Sequence, residues 1–293
     1  MSYFKILGFE KEPFSTSPDP DFFYLSREHE TALTNILIEL RLKRGLSVIL
    51  GDVGTGKTTL SRKLIQELKD REDFIFQIIL DPSFENESLF LSAIARNFDV
   101  DSTPQPANGA FSSGTNIKES LERFLFQKGV TENKIVTLII DESQKLTESS
   151  LEVLRVLLNY ETNEFKLLQL VLLGQMELHS KIINIANFLD RISFKYTLNP
   201  LDLAETKEMI EFRIRQAGYR ANMNIFLDDA IRQIHNYSKG YPRKIMMICH
   251  EALKALVLGR KFVVDAALID EIINEEIKSG WHRRDLLLQK SSY

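Results

Sequence analysis

The sequence predicts an α/β domain built on a parallel sheet, followed by a smaller all-helical domain. Five apolar runs, with helical stretches between them, lie at 46–50, 74–80, 135–140, 167–173 and 192–198. Near-continuous apolar strands separated by helices are typical of a parallel sheet that helices cover on both faces. After Pro200 only helical segments follow, and this change of pattern predicts the second domain.

Composition and charge agree with this fold class and exclude some kinds of protein. The chain has 293 residues, of which 44% are hydrophobic, enough for one large domain or two modest ones with separate cores. The formal net charge is −4. The part from Leu201 onward has 15 Lys and Arg against 13 Asp and Glu, or +2, which leaves −6 for the rest. This is not the strongly basic footprint of a nucleic-acid binder, although a local basic face stays open.

Cysteine content and the N-terminus indicate where the protein works. Cys249 is the only cysteine, which excludes a disulfide framework or a cysteine-based metal site, and its apolar helical surroundings predict a core position. The N-terminus lacks the apolar core and cleavage site of a signal peptide. The sequence has no run of about 18 apolar residues, so we expect no transmembrane helix. We expect a soluble cytoplasmic protein without an integral membrane segment, peripheral to the inner membrane at most.

The N-terminal region, 1–45, is expected to be an extended segment and a helix that pack on the core. Its first 21 residues are rich in Phe and Pro, and the Phe side chains need burial. Ser26 then caps a helix predicted to run to about Leu42. The nucleotide-binding α/β domain is assigned to 46–200. Within it, 102–116 has two Pro and two Gly and is the clearest predicted surface loop.

The second domain, 201–278, is predicted to be all helical. Its helical segments are 204–217, 228–237, 242–258 and 265–278. The remaining residues, 279–293, carry Arg283 and Arg284 and are predicted to form a tail or a short terminal helix.

A phosphate-binding loop (P-loop) is predicted between the first strand and the next helix. The eight residues from Gly51 read Gly-Asp-Val-Gly-Thr-Gly-Lys-Thr, which matches G-x-x-x-x-G-K-[ST] in a strand–loop–helix context. Backbone N–H groups can surround phosphates there, Lys57 adds a positive charge, and the Thr58 hydroxyl can ligate Mg²⁺. The residues predicted to contact ATP in this loop are Asp52, Val53, Gly54, Thr55, Gly56, Lys57, Thr58 and Thr59.

Two carboxylates, Asp141 and Glu142, directly follow the apolar run 135–140. This position puts them at the carboxyl edge of a central strand, where open α/β sheets bind ligands and where the P-loop also opens. We expect Asp141 to hold Mg²⁺ through water and Glu142 to polarise the water that attacks the γ-phosphate. A solvated acidic turn is the alternative for such a pair taken alone.

Three further polar residues are weaker candidates. Gln175 leaves the neighbouring strand at the same edge and could bond the attacking water or the γ-phosphate, although an ordinary loop residue is the simpler interpretation. Arg191 precedes the last predicted strand, and Arg243 opens a helix of the second domain. An arginine from a neighbouring subunit or domain commonly neutralises transition-state charge on a phosphate. Spacing alone does not separate these two arginines from ordinary surface cations.

Together these motifs resemble the AAA+ ATPases and, within them, the secretion ATPase family typified by ExeA/GspA and the related MSHA-biogenesis ATPase. The specific stretches are Asp-Glu-Ser-Gln at 141–144, the run 154–162, and Leu-Leu-Gln through Gly-Gln at 167–175. Residues 13–15, 18–20 and 23–26 also look like that family, and the resemblance continues to about Lys278.

The resemblance implies a five-stranded α/β/α sandwich with a C-terminal helical lid, and ATP bound between them at a subunit interface. It implies sensor roles for Gln175 and for Arg243 on the lid. It makes Arg191 an arginine finger that acts on ATP held by the next subunit. Tyr24 and Leu25 would lie near the adenine. Such proteins form ATP-dependent homo-oligomeric rings or filaments, so a single subunit would hydrolyse ATP poorly.

Three functions remain open from the sequence. The first is an ATP-hydrolysing assembly switch for a bacterial envelope machine of the secretion or pilus type. The alternative is a regulator of transposition like TnsC and MuB, which forms filaments on double-stranded DNA and recruits a transposase. That function needs a basic track, for which Arg41, Lys43, Arg44 and the 283–284 pair are candidates. A metabolic P-loop kinase is disfavoured by the Asp-Glu pair and the helical lid.

Overall fold

The computed structural model describes residues 2–15, 20–100, 113–220, 224–259 and 261–279. Its contacts divide the chain into two compact units. The α/β unit comprises Arg27–Val53 and Lys57–Asn199. The helical unit comprises Met1–Ser26, Gly54–Gly56 and Pro200–Tyr293.

The prediction of a five-stranded parallel sheet is confirmed. The strands are β1 Leu46–Gly51, β2 Phe74–Ile79, β3 Ile135–Ile140, β4 Leu168–Gly174 and β5 Ile192–Leu198. They run parallel in the order β2-β3-β4-β1-β5. Every residue of β1, β3 and β4 is buried. Because successive side chains point to opposite faces, burial at every position requires cover on both sides of the sheet.

Where the sequence predicted the end of a helix, the observed end lies within two residues of it. In chain order they are α1 Tyr3–Ile6, α2 Arg27–Arg41, α3 Lys57–Leu68, α4 Glu87–Asn97, α5 Ser113–Phe126, α6 Glu148–Leu157, α7 Met176–Ile183, α8 Leu203–Gln216, α9 Asp228–Ser238, α10 Pro242–Gly259 and α11 Ala266–Lys278. Side chains cap several of them. Asp202 forms a capping box with Glu205 at α8, and Asp265 accepts the Leu268 N–H at α11.

The predicted surface loop 102–116 ends earlier than expected. Residues 102–112 lie outside the described residues, and 113–116 already form the first turn of α5. The helix has an apolar stripe at i, i+4 and i+8, in which Ile117, Leu121 and Leu125 are buried in the core of the α/β unit. Packing of this stripe stabilises the helix. The polar residues of its first turn gave no sign of a helix in the sequence.

The helical unit has its own core, which includes the N-terminal segment. Phe9, Phe14 and Phe22 are buried together with side chains of α8 to α11, as the Phe-rich composition predicted. Cys249 is fully buried in the same core. The contacts divide the predicted N-terminal region at Ser26: α2 belongs to the α/β unit and the preceding residues to the helical unit.

Arg213 on α8 holds this N-terminal segment by its backbone. Its guanidinium donates to the carbonyls of Pro13 at 2.7 Å, Phe22 at 2.7 Å and Ser15 at 3.0 Å. It also lies over the Phe22 ring, 5.3 Å from the ring centroid. Arg213 is 6% exposed, so these are buried, charge-assisted hydrogen bonds. Within the described ranges, no helix of either unit is both long and apolar enough to span a membrane.

Candidate nucleotide-binding site

The site of the α/β unit is built where three adjacent strands end. In the sheet β4 lies between β1 and β3, with Leu50 paired to Gly174 and Ile140 paired to Leu172. The P-loop leaves β1, the Asp141–Glu142 pair leaves β3, and Gln175 leaves β4. Since all strands are parallel, these segments share the carboxyl edge of the sheet. The structure thus brings these predicted site residues to one place.

The P-loop has the backbone conformation that its glycines allow. Gly54 and Gly56 have positive φ angles of 87° and 99°, a region that L side chains rarely adopt. A Cβ at Gly54 would lie 3.0 Å from the Cβ of Arg243, so space as well as conformation favours glycine there. The loop runs directly into the N-terminus of α3 at Lys57, where backbone N–H groups and the helix dipole favour an anion.

Lys57 is folded against its own loop. Its Nζ donates to the carbonyls of Gly51 at 2.6 Å and Asp52 at 2.8 Å, and the residue is 6% exposed. Burial lowers the pKa of Lys57, and the carboxylates of Glu142 and Asp141 oppose that shift by raising it. An ammonium group has three N–H donors, so a phosphate oxygen can be bound in addition to the two carbonyls.

Asp141 and Thr58 form a pair of oxygen donors beside Lys57. The Thr58 hydroxyl acts to lower the pKa of the nearby Asp141 carboxyl group, which also accepts the Glu142 N–H at 2.9 Å. Asp141 is 1% exposed, and burial raises the pKa of its carboxyl group despite these hydrogen bonds. A buried carboxylate next to a hydroxyl is a donor set that fits Mg²⁺, a hard cation that binds through oxygen and retains water ligands.

Glu142 occupies a strained backbone position at the head of a turn. Its φ and ψ are 51° and 34°, the left-handed region, which is uncommon for a residue with a long side chain. The Ser143 hydroxyl donates to the Ile140 carbonyl at 2.8 Å, and the Lys145 N–H donates to the Glu142 carbonyl at 2.9 Å. These bonds stabilise a turn that directs the chain away from the strand immediately after the carboxylate pair.

Gln144 is a site residue that our sequence analysis did not identify. Its Nε2 donates to Glu142 Oε2 at 2.7 Å, and its Oε1 accepts the Gln175 backbone N–H at 3.0 Å. The amide therefore joins the end of β3 to the end of β4. The available signal was its place two residues after Glu142 in a turn leaving a strand, where a side chain can reach back to the strand end.

Arg191 lies at the opposite edge of the sheet. It immediately precedes β5, whose first residue Ile192 pairs with Leu46, the first residue of β1. Its guanidinium donates to the Asn187 carbonyl at 3.0 Å and to Asn159 Oδ1 at 2.5 Å. A strand of six residues spans about 20 Å, so Arg191 cannot reach a phosphate at the P-loop of its own chain.

The other candidates belong to the helical unit. Arg243, in the first turn of α10, is exposed, and its backbone N–H donates to the Gly54 carbonyl at 3.4 Å. Tyr24 packs against the core of that unit, and its hydroxyl donates to Glu208 Oε2 at 2.5 Å. Leu25 is half-buried beside it. In the P-loop, Val53 is an exposed apolar residue, with 59% of its surface exposed.

Comparison with known proteins agrees with this site. A family model described as an AAA domain matches residues 40–182, which contain the P-loop, Asp141, Glu142 and Gln175. Over 255 residues, or 86% of the chain, the sequence is 35% identical to General secretion pathway protein A of Aeromonas hydrophila. The chain thus contains an AAA domain and resembles General secretion pathway protein A over most of its own length. It spans 44% of the length of that curated relative.

Solved structures share this fold. The chain superposes on the ORC2 protein of Aeropyrum pernix, solved as ADPNP–ADP complexes, with a TM-score of 0.61 and 18% identity over 91% of this chain and 72% of that one. Cdc6p of Pyrobaculum aerophilum superposes with a TM-score of 0.59 and 18% identity over 86% of this chain and 67% of that one. At these identities the likeness shows the fold alone.

Proposed function

We propose that this ATPase is an oligomeric switch that binds Mg-ATP, assembles with copies of itself and resets on hydrolysis. The observation that carries the proposal is that Lys57 follows β1 while Asp141 and Glu142 follow β3, at the same edge of the sheet and on either side of β4. Phosphoryl transfer to water requires a cation, an oxygen donor that holds a metal, and a carboxylate that accepts a proton from water. Lys57, Asp141 and Glu142 respectively can supply them.

Each residue has a distinct part in this proposal. Lys57 and the loop N–H groups bind the phosphates, and Thr58 and Asp141 hold Mg²⁺, which supplies charge neutralisation across the phosphate oxygens. Glu142 accepts a proton from the attacking water, and Gln175 hydrogen-bonds the water or the γ-phosphate. The family resemblance assigns nucleotide contacts to Tyr24, Leu25 and Arg243 as well.

The position of Arg191 supports self-association. A finger that lies about 20 Å from its own P-loop can act only on ATP held by another subunit. Isolated subunits would then bind ATP but hydrolyse it slowly. The likeness to a secretion pathway protein supports an envelope machine of the secretion or pilus type as the client, with the protein working at the cytoplasmic side of the inner membrane.

The test compares three proteins by phosphate release, nucleotide binding and sedimentation with Mg-ATP. Glu142→Gln should bind ATP and remain assembled while its hydrolysis rate falls about 100-fold or more, because it cannot accept the proton. Lys57→Ala should lose ATP binding, whereas Lys69→Ala, an exposed lysine just after α3, should behave like the wild type. Normal turnover by Glu142→Gln would refute the assignment of the base.

The DNA-binding alternative has weaker support. Lys43 donates to Asn133 Oδ1 at 3.1 Å and lies 4.2 Å from the centroid of the Phe165 ring, and Arg44 pairs with Glu39 at 3.4 Å. The 283–284 pair lies outside the described residues. A labelled DNA duplex titrated with Glu142→Gln should show no binding specific to Mg-ATP over Mg-ADP. Tight, salt-sensitive binding with ATP alone would favour the regulator of transposition instead.

A further inference from the structure

The amide of Gln144 connects two residues to which the proposed reaction gives different tasks. It donates to the carboxylate of Glu142 and accepts from the backbone of Gln175, the residue that directly follows β4. These contacts fix which way the amide points. If it were flipped, its NH₂ group would face the Gln175 N–H and its oxygen would face a carboxylate, and both contacts would be repulsive.

The turn that carries Gln144 is anchored from a third element. Lys181 of α7 donates through Nζ to the carbonyls of Gln144 at 2.6 Å and Leu146 at 2.8 Å. The backbone of Gln144 is thus held while its side chain spans from β3 to β4. Glu142 by contrast has left-handed backbone angles outside any regular element, so a side-chain contact is needed to orient its carboxylate.

The orientation given by Gln144 is chemically useful. A carboxylate has two oxygens, and the amide binds Oε2, which leaves Oε1 to accept from water. The same carboxylate acts on the Lys57 ammonium, whose pKa it raises. An amide does not titrate, and it therefore orients the carboxylate without competing for its proton.

We propose that Gln144 is a positioning residue that couples the Glu142 carboxylate to the end of β4. The inference rests on the proposed role of Glu142 as the base. In this arrangement a shift of Gln175 in response to the γ-phosphate moves the amide, and the amide moves the carboxylate. Gln144 touches neither the phosphate nor the water, and it acts on the rate of the chemical step through Glu142.

Gln144→Glu separates the two halves of this contact. The new carboxylate keeps an oxygen for the Gln175 N–H but puts a second oxygen against Glu142 in place of the N–H donor. We expect kcat to fall roughly 10- to 100-fold, the cost of a misplaced reacting group, with KM for ATP, ATP affinity and Tm near those of the wild type. Gln216→Glu, an exposed position at the end of α8, is the matched control for added charge and should change none of these.

A double-mutant cycle completes the test. Gln144→Glu added to Glu142→Gln should cause no further loss of kcat, because the residue acts only through Glu142. The proposal is overturned if Gln144→Glu turns over like the wild type, if its loss is fully additive with Glu142→Gln, or if ATP affinity and Tm fall in step with kcat. If Glu142→Gln itself keeps full activity, the base assignment fails as well. That result is distinct from a failure of Gln144 alone.

Discussion

At the scale of single residues, Asp141 shows a conflict between binding chemistry and stability. It is 1% exposed, and burial raises the pKa of its carboxyl group. A carboxyl group with a raised pKa in the folded state contributes stability that is present below the pKa of the unfolded chain. This stability is lost as the pH rises through the folded-state pKa. Near neutral pH the ionised side chain therefore costs stability until a cation binds.

Asp141→Asn should raise the Tm of the nucleotide-free protein near neutral pH and abolish Mg-dependent ATP hydrolysis. The Tm difference from the wild type should shrink as the pH falls toward the ordinary aspartate pKa of about 3.9, where the wild-type side chain takes up a proton. Thermal unfolding at several pH values measures this. Asp81 is the control, because a hydrogen bond from Ser83 lowers its pKa, so Asp81→Asn should not stabilise. A lower Tm for Asp141→Asn at neutral pH would contradict the argument.

At the scale of elements, the helical unit depends on one buried cation to hold its N-terminal segment. Arg213 binds three backbone carbonyls that no regular element satisfies. Arg213→Met keeps the packing volume but leaves these carbonyls without that donor, and should destabilise the protein by on the order of 3 kcal/mol in chemical denaturation. Arg215→Met removes an exposed arginine from the same helix and should change stability little. Equal effects of the two substitutions would show that the three bonds are unimportant.

The reactivity of Cys249 can be used to test how tightly the core of the same unit is packed. Cys249 is fully buried on α10, and burial raises the pKa of its thiol, so the reactive thiolate is scarce and inaccessible. We expect no reaction with a thiol reagent in the folded protein and complete reaction after unfolding in denaturant. Ser88→Cys introduces an exposed thiol at the start of α4 and should react at once. Fast labelling of native Cys249 would mean that this core opens readily.

At the scale of the whole molecule, the sheet separates the two charges that the proposed reaction needs. Lys57 follows β1 at the carboxyl edge, and Arg191 precedes β5 at the amino edge, so one chain cannot supply both to one phosphate. We propose that the active unit is a pair of neighbouring subunits, and we therefore expect hydrolysis to depend on protein concentration.

Mixing two inactive variants tests this arrangement. Arg191→Ala keeps an intact nucleotide site but no finger, and Glu142→Gln keeps the finger but no base. Each alone should hydrolyse ATP slowly, whereas an equimolar mixture should exceed the mean of the two because some interfaces combine the intact halves. Arg155→Ala, a surface arginine paired with Glu152, should be active by itself. A mixture no faster than the mean would argue against a finger in trans.

Elements with strong local signals were predictable. The run 135–140 is apolar except for Thr137 and matches β3 residue for residue, and the P-loop pattern predicted a helix directly after the loop, where α3 begins. The end of the 102–116 loop was missed because the burial of Ile117, which stabilises α5, involves partners distant in the chain. Gln144 was missed because its partners lie on two different strands.

The sequence by itself determined the fold class and the kind of chemistry. Hydrophobic patterns predicted the five strands and the helices after Pro200, and the glycine loop ending in Lys57 and Thr58 predicts phosphate binding, because these are local properties of the chain. Only the tertiary structure decided which residues meet. The strand order places β4 beside β3, which brings Gln144 to Gln175. Strand order depends on packing between segments far apart in sequence, and no local pattern encodes it.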